Sequence, residues 1–203
     1  YPEIVDKAMP DTMIWNTQLS YSEPYVTHYF RHPAFTTYPV VGVTYRQVMD
    51  YCRWRSDRVN EVLQNGDKKW KKYAGKKVTY RLPTLAEWEF AAAAGLDTVK
   101  YPFGYEEAAD RFGTSKYHIK RPVKASSFTL YDITIPVKGG KPNKYGFYNL
   151  TGNVAEMISV EGVSKGGSFY HNLDEARVCR NIHYEAAEKW LGFRCVAVVS
   201  EKK

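Results

Sequence analysis

Apolar side chains recur at Tyr45, Val48, Met49, Cys52, Val59, Val62 and Leu63, while Arg46, Asp50, Arg53 and Asp57 fall mostly on the opposite side. Spacing by threes and fours predicts an amphipathic helix with one buried face. Thr44 stands where an N-cap belongs, and Gln47 three residues later completes a capping box. A second helix is marked in the same way. Thr84 and Glu87 form another capping box behind Arg81-Leu82-Pro83, and Leu85, Trp88, Ala91 and Ala92 predict its buried stripe. Gly95 occupies the place of a helix C-terminal glycine, and the small residues Ala91 to Ala94 let another backbone approach closely.

Elsewhere helical periodicity is missing. Residues 1–37 read as irregular, punctuated by Pro2, Pro10, Pro24 and Pro33. Tyr25, Tyr29, Phe30 and Phe35 are aromatic anchors that should hold this segment against the domain formed by residues 38–203. Tyr38–Val43 is a short extended entry to the first helix. Residues 64–79 are polar and lysine-rich and predict a surface insertion. They are either a solvated face or, with Trp70 and Tyr73 among the lysines, a docking surface for an acidic partner. Residues 96–144 form a long stretch with turn signals at Tyr101–Gly104 and Gly139–Asn143. Irregular stretches of this length in a compact domain usually carry function or bound ions. From 145 onward short apolar runs alternate with glycines, and the last, Gly192–Val199, predicts a buried terminal strand.

Composition narrows the class. The chain has 203 residues, 44% hydrophobic and 25% charged, which suits one globular domain with a substantial core. Its 15% aromatic share serves either a ring-built core or exposed recognition surfaces. The net charge of +7 permits an anionic partner, but no nucleic-acid-binding motif accompanies it, so no nucleic-acid partner is expected. No apolar stretch is long enough to span a bilayer, and the chain opens at Tyr1 in what reads as mid-sequence. Any membrane attachment would therefore need an anchor outside this chain. Cys52, Cys179 and Cys195 include no CxxC pair, which argues against a zinc ribbon or thioredoxin-type site. They allow one disulfide and one spare thiol in an oxidising compartment.

Several segments in order resemble the formylglycine-generating-enzyme, or sulfatase-modifying-factor, family. They are Tyr38–Val43 (YPVVGV), Tyr51–Trp54 on the first helix, Arg81–Phe90 (RLPTLAEWEF), Tyr145–Glu156 (YGFYNLTGNVAE), Lys165–Ser168 (KGGS) and Leu191–Cys195 (LGFRC). The resemblance implies an α+β fold, a variant of the C-type lectin fold. It would have two main helices, short antiparallel strands, little regular secondary structure and bound calcium. A strand and helix that precede the YPVVGV segment in the family are not evident, so the chain either starts inside its domain or replaces that portion with residues 1–37. The wording Met9–Thr12, Tyr29–Phe35, Tyr38–Val43 and Trp54–Glu61 further resembles a branch found in gliding-motility and type IX secretion lipoproteins of Bacteroidota. That likeness implies a periplasmic, outer-membrane-anchored assembly with other envelope-complex proteins as partners.

In the family's enzymes two cysteines after the GGS segment bind copper as thiolates and oxidise a substrate cysteine. The corresponding places hold His171 and Ala176. Soft thiolates suit Cu(I), and alanine offers no ligand atom. The resemblance therefore implies a non-catalytic domain without copper. By family position, Cys52 and Cys195 correspond to a structural disulfide, whose long loop stabilises by several kcal/mol in the chain-entropy model, less if the bridge is strained. Cys179 matches a structural cysteine whose partner position reads Ala92, so it should be a free, buried and inert thiol. Gly152, Val154 and Glu156 match a family calcium site, with Thr151 or Asn153 completing the shell, since hard oxygen ligands suit calcium. A second calcium site would fall in residues 105–135, with Asp132 a candidate ligand. Three functions follow from the resemblance: a structural or protein-binding module of an envelope complex, an oxidase of the family's type, or a lectin-like ligand binder.

Overall fold

The computed structural model describes residues 7–16, 23–65, 68–73, 75–105, 117–120 and 133–201. Asp132 and most of the stretch from 106 to 132 lie outside them. Among the described residues three α-helices are complete: α1 (Glu23–His28), α2 (Tyr45–Gln64) and α3 (Leu85–Ala93). Both predicted capping boxes are complete. Thr44 accepts from the Gln47 backbone N–H while the Gln47 side chain accepts from the Thr44 N–H, and Thr84 and Glu87 repeat the arrangement. The same residues hold six short strands: β1 (Lys76–Arg81), β2 (Ala155–Met157), β3 (Val163–Lys165), β4 (Ile182–His183), β5 (Leu191–Phe193) and β6 (Val196–Glu201).

The strands form two sheets. One has the order β4-β3-β2-β5, and the other pairs β1 with β6. All pairings are antiparallel except β2 with β5, which run parallel with Glu156 opposite Gly192. The apolar run predicted as one buried terminal strand is split. β5 is largely buried in the larger sheet, the chain changes sheet at Arg194-Cys195, and β6 is mostly exposed. The predicted apolar face of α2 is also shorter than its sequence suggests. Val48 and Cys52 are buried but Val62 is exposed. The C-terminal half of α2 docks through polar groups instead. Asn60 brackets Val78, its Nδ2 donating to the Val78 carbonyl and its Oδ1 accepting from the Val78 N–H, both near 2.8 to 2.9 Å. Ser56 Oγ accepts from the Tyr80 N–H at 2.8 Å. These bonds satisfy the edge of β1 that faces away from β6, and so protect an edge strand that would otherwise invite pairing.

The main core joins the N-terminal segment to the sheet. Trp15 and Tyr29 pack in one cluster with Val41, Val48, Leu82, Met157, Phe169 and Leu191. The rings form a continuous stack of contacts, with Trp15 4.9 Å from Tyr29 and 6.5 Å from Phe169. Burying such rings contributes a large share of a domain's hydrophobic stabilisation. A second cluster sits around Trp88 of α3, with Ala92, Leu150, Ile158 and Val178. Leu85, predicted to share that face, is exposed because the helix presents only Trp88 and Ala92 to full burial.

The start of α3 carries a pH signature. Arg81 makes two 2.7 Å bonds to the Glu87 carboxylate, and with the Thr84 N–H this lowers the Glu87 pKa from 4.5 to about 2. A depressed carboxyl contributes stability that is fully present above its unfolded pKa and is lost as pH falls toward the folded one. The group is partly solvated, so the contribution should stay near 1 kcal/mol. Thermal melts of the wild type and Glu87→Gln should differ at pH 6 and converge as pH falls from 4.5 to about 2.

Candidate functional site

The KGGS segment leaves β3 and turns under α3. Gly166 and Gly167 have φ of +89° and +68°, a left-handed conformation that favours glycine. A side chain at either would collide. A Cβ on Gly166 would meet the Leu150 carbonyl oxygen at 2.5 Å, and one on Gly167 would meet the Ala176 Cβ at 2.6 Å. The turn thus brings the chain from Ser168 to Ala176 back onto itself.

Ser168 and His171 are both buried, and Ser168 Oγ lies 2.7 Å from His171 Nδ1. The same oxygen accepts from the Tyr170 N–H at 3.1 Å. The His171 ring stands edge-on to Trp190 with centroids 4.7 Å apart. Burial lowers the His171 pKa, opposed by Glu175 and reinforced by Lys120, which favours the neutral ring. Ala176 is fully buried and packs with Tyr117 and Ile119. Cys179, expected to be buried, is exposed: the chain turns outward after Val178, which fills the Trp88 cluster.

Copper requires neighbouring soft donors, and this stretch supplies a hydrogen-bonded imidazole, a methyl group and a surface thiol. The residues present do not fit a copper site. Among the described residues no group of three His, Cys, Asp or Glu side chains is placed to hold a metal ion.

Glu156, at the centre of β2, is buried and fully engaged. Its Oε1 accepts from Arg194 Nη2 at 2.6 Å, and its Oε2 accepts from Arg194 Nε at 2.7 Å and from the Trp88 indole N–H at 2.8 Å. Thr151 Oγ1 donates to the Phe103 carbonyl, and the Asn153 amide is clamped to both backbone groups of Ile135. Among the described residues, the carbonyls of Gly152 and Val154 are the members of the predicted calcium set without a hydrogen-bond donor. A calcium ion there would share its one carboxylate with a guanidinium cation at bonding distance, and like charges so close repel strongly. The residues as placed do not fit calcium at Gly152, Val154 and Glu156.

Cys52 of α2 and Cys195 at the sheet change are brought together as thiols, with their sulfurs 3.6 Å apart. The hydrogen bond from Cys195 lowers the Cys52 pKa, burial opposes it, and Arg55 adds to it, while the same bond raises Cys195.

A family model described as the sulfatase-modifying factor enzyme 1-like domain matches residues 20–199. The chain belongs to this family. It is 33% identical over 193 residues to a formylglycine-generating enzyme of Thermomonospora curvata, covering 79% of this chain and 55% of that protein. It is 31% identical over 176 residues to the Bos taurus protein named inactive C-alpha-formylglycine-generating enzyme 2, covering 79% of this chain and 50% of the relative. The chain therefore spans about half the length of these curated relatives. Among solved structures, Treponema denticola variable protein 1 superposes with a TM-score of 0.57 at 24% identity over 80% of this chain and 72% of that one. The fold is the mixed α+β, formylglycine-generating-enzyme-like form of the C-type lectin fold, with few helices and short strands, as the resemblance implied. Family membership does not itself decide activity, since the relatives include both enzymes and proteins named inactive.

Two features of this sulfatase-modifying-factor domain escaped sequence reasoning. Arg194 was visible only as part of a motif, although a lone arginine beside a buried strand needs a counter-ion and Glu156 was the nearest motif carboxylate. Lys165 is completely buried, its Nζ donating to Glu89 at 2.8 Å and Asn181 at 3.1 Å. A lysine at the end of a short strand, directly before two glycines, was the available signal.

Proposed function

We propose that this chain is a non-catalytic structural and protein-binding module of a cell-envelope assembly. The observation that carries the reading is the occupation of the family's two cysteine places. One holds a buried histidine bonded to Ser168, the other a fully buried alanine packed against Gly167. Neither arrangement supplies the thiolate pair that copper-dependent oxidation of a substrate cysteine requires. The existence of relatives named inactive supports the reading. The sequence likeness over residues 9–61 points to the gliding-motility and type IX secretion branch, and hence to a periplasmic lipoprotein setting with an anchor outside this chain. That setting is oxidising and suits a Cys52–Cys195 disulfide.

The test is direct. The purified protein is titrated with Cu(I) in competition with a chromogenic chelator, then incubated under oxygen with a cysteine-containing sulfatase peptide. No copper should leave the chelator and the peptide thiol should persist. Stoichiometric copper uptake together with loss of the peptide thiol would overturn the non-catalytic reading.

A further inference from the structure

We propose that the cavity between α2 and the end of β5 is a binding site for a carboxylate carried on an aromatic body. The cavity has a volume of about 700 Å³, within the range of small-molecule sites. It lies away from the Ser168–Cys179 stretch and shares no residue with it, so the inference stands whether or not the chain is catalytic.

Its walls are rings: Tyr38, Tyr51, Tyr80, Phe147, Tyr148 and Phe193 all face it. Its charged groups are Arg55, Lys138, Arg194 and Glu156. The last two neutralise one another through their paired hydrogen bonds. Arg55 and Lys138 take part in none of the ion pairs among the described residues. Among the described residues the cavity is therefore net positive, with no further carboxylate lining it to answer these two cations.

Arg55 is also held in place. Its Nη1 donates to Tyr51 Oη at 2.8 Å, and its guanidinium carbon lies 4.6 Å from the centre of the Tyr80 ring. A guanidinium carries five N–H donors in a fixed fork, so contacts with two tyrosines leave donors for a planar anion. A pre-positioned arginine binds at lower entropic cost than a free one. The aromatic walls would take an apolar or aromatic body, and the two cations its carboxylate. Such a carboxylate could belong to a free acid or to the C-terminus of a peptide.

The experiment uses the whole chain, isotope-labelled, in NMR titrations with N-acetyl-tryptophan, N-acetyl-tryptophan amide, and a short peptide ending in tryptophan with a free or an amidated C-terminus. The free acids should shift resonances of Tyr51, Tyr80 and Phe193, and the amides should bind at least about tenfold more weakly, as expected for loss of a charge-assisted bond. Binding by the peptide alone would identify a protein C-terminus as the source, and equal binding by both acids would identify the carboxylate as sufficient. Arg55→Gln and Lys138→Gln, both at exposed positions, should each weaken the acids severalfold, while Lys72→Gln changes nothing. Equal affinity for acids and amides, shifts that map elsewhere, or no saturable binding would overturn the proposal.

Discussion

Oxidised protein should melt roughly 10 to 20 °C above the reduced form, and the difference should vanish in Cys195→Ser. Cys52 and Cys195 are 143 residues apart in sequence, and their sulfurs are 3.6 Å apart in the fold. In the chain-entropy model a loop of that length removes about 5 kcal/mol of freedom from the unfolded chain. For a domain of this size each kcal/mol moves the midpoint by about 2 to 4 °C. The bridge would tie α2 to the point where the chain passes from the larger sheet to β6, so it clamps an exposed two-stranded ribbon onto the main core. Non-reducing peptide mapping should recover a Cys52–Cys195 crosslink, with Cys179 alkylated in the folded protein because it is exposed. A bridge containing Cys179, or oxidised and reduced forms that melt together, would refute the assignment.

The two helices were legible because their signals are local. A capping box needs only residues three apart, and both boxes are formed as the sequence implies. The pairing of Cys52 with Cys195 was legible only through family resemblance, since three cysteines spread over the chain allow several partners. What could not be read were the long-range uses of polar side chains. Ser56 and Asn60 look like the solvated face of α2, yet they complete the edge of β1. The periodicity of α2 promised burial at Val62 because a helical wheel cannot know where its neighbour ends. β6 reads as buried by its run of valines and alanine, but among the described residues it pairs only with β1 and its residues from Ala197 onward are exposed. At the site, the tyrosines lining the cavity are spread from Tyr38 to Tyr148, so no window of sequence displays them together.

Glu156→Ala should cost about 3 kcal/mol or more, a larger loss than its size or its place in a three-residue strand suggests. The residue sits at one end of a chain of charges built around Trp88. Arg194 holds the Glu156 carboxylate, the Trp88 indole N–H donates to the same carboxylate, and the other side of the network is Lys165, 5.7 Å from the centre of the Trp88 ring and bonded to Glu89. Glu156 and Lys165 are direct partners in the β2–β3 register, so both emerge toward α3 with Trp88 between them. Removing the Glu156 carboxylate strands Arg194, whose side chain is only 30% exposed, and deprives the buried indole of its acceptor. Breaking one partner of a buried ion pair typically costs about 3 to 5 kcal/mol, whereas replacing both with apolar groups can be nearly neutral. The double variant Glu156→Met with Arg194→Met should therefore recover most of the loss in urea unfolding, while Arg194→Met alone should not. Trp88→Phe removes the indole donor and also leaves a void where the second ring packed, so it should cost more than the roughly 1 kcal/mol of the lost hydrogen bond alone. If Glu156→Ala unfolds within 1 kcal/mol of the wild type, or the double variant is no better than the worse single one, the carboxylate is not the counter-ion on which this core depends.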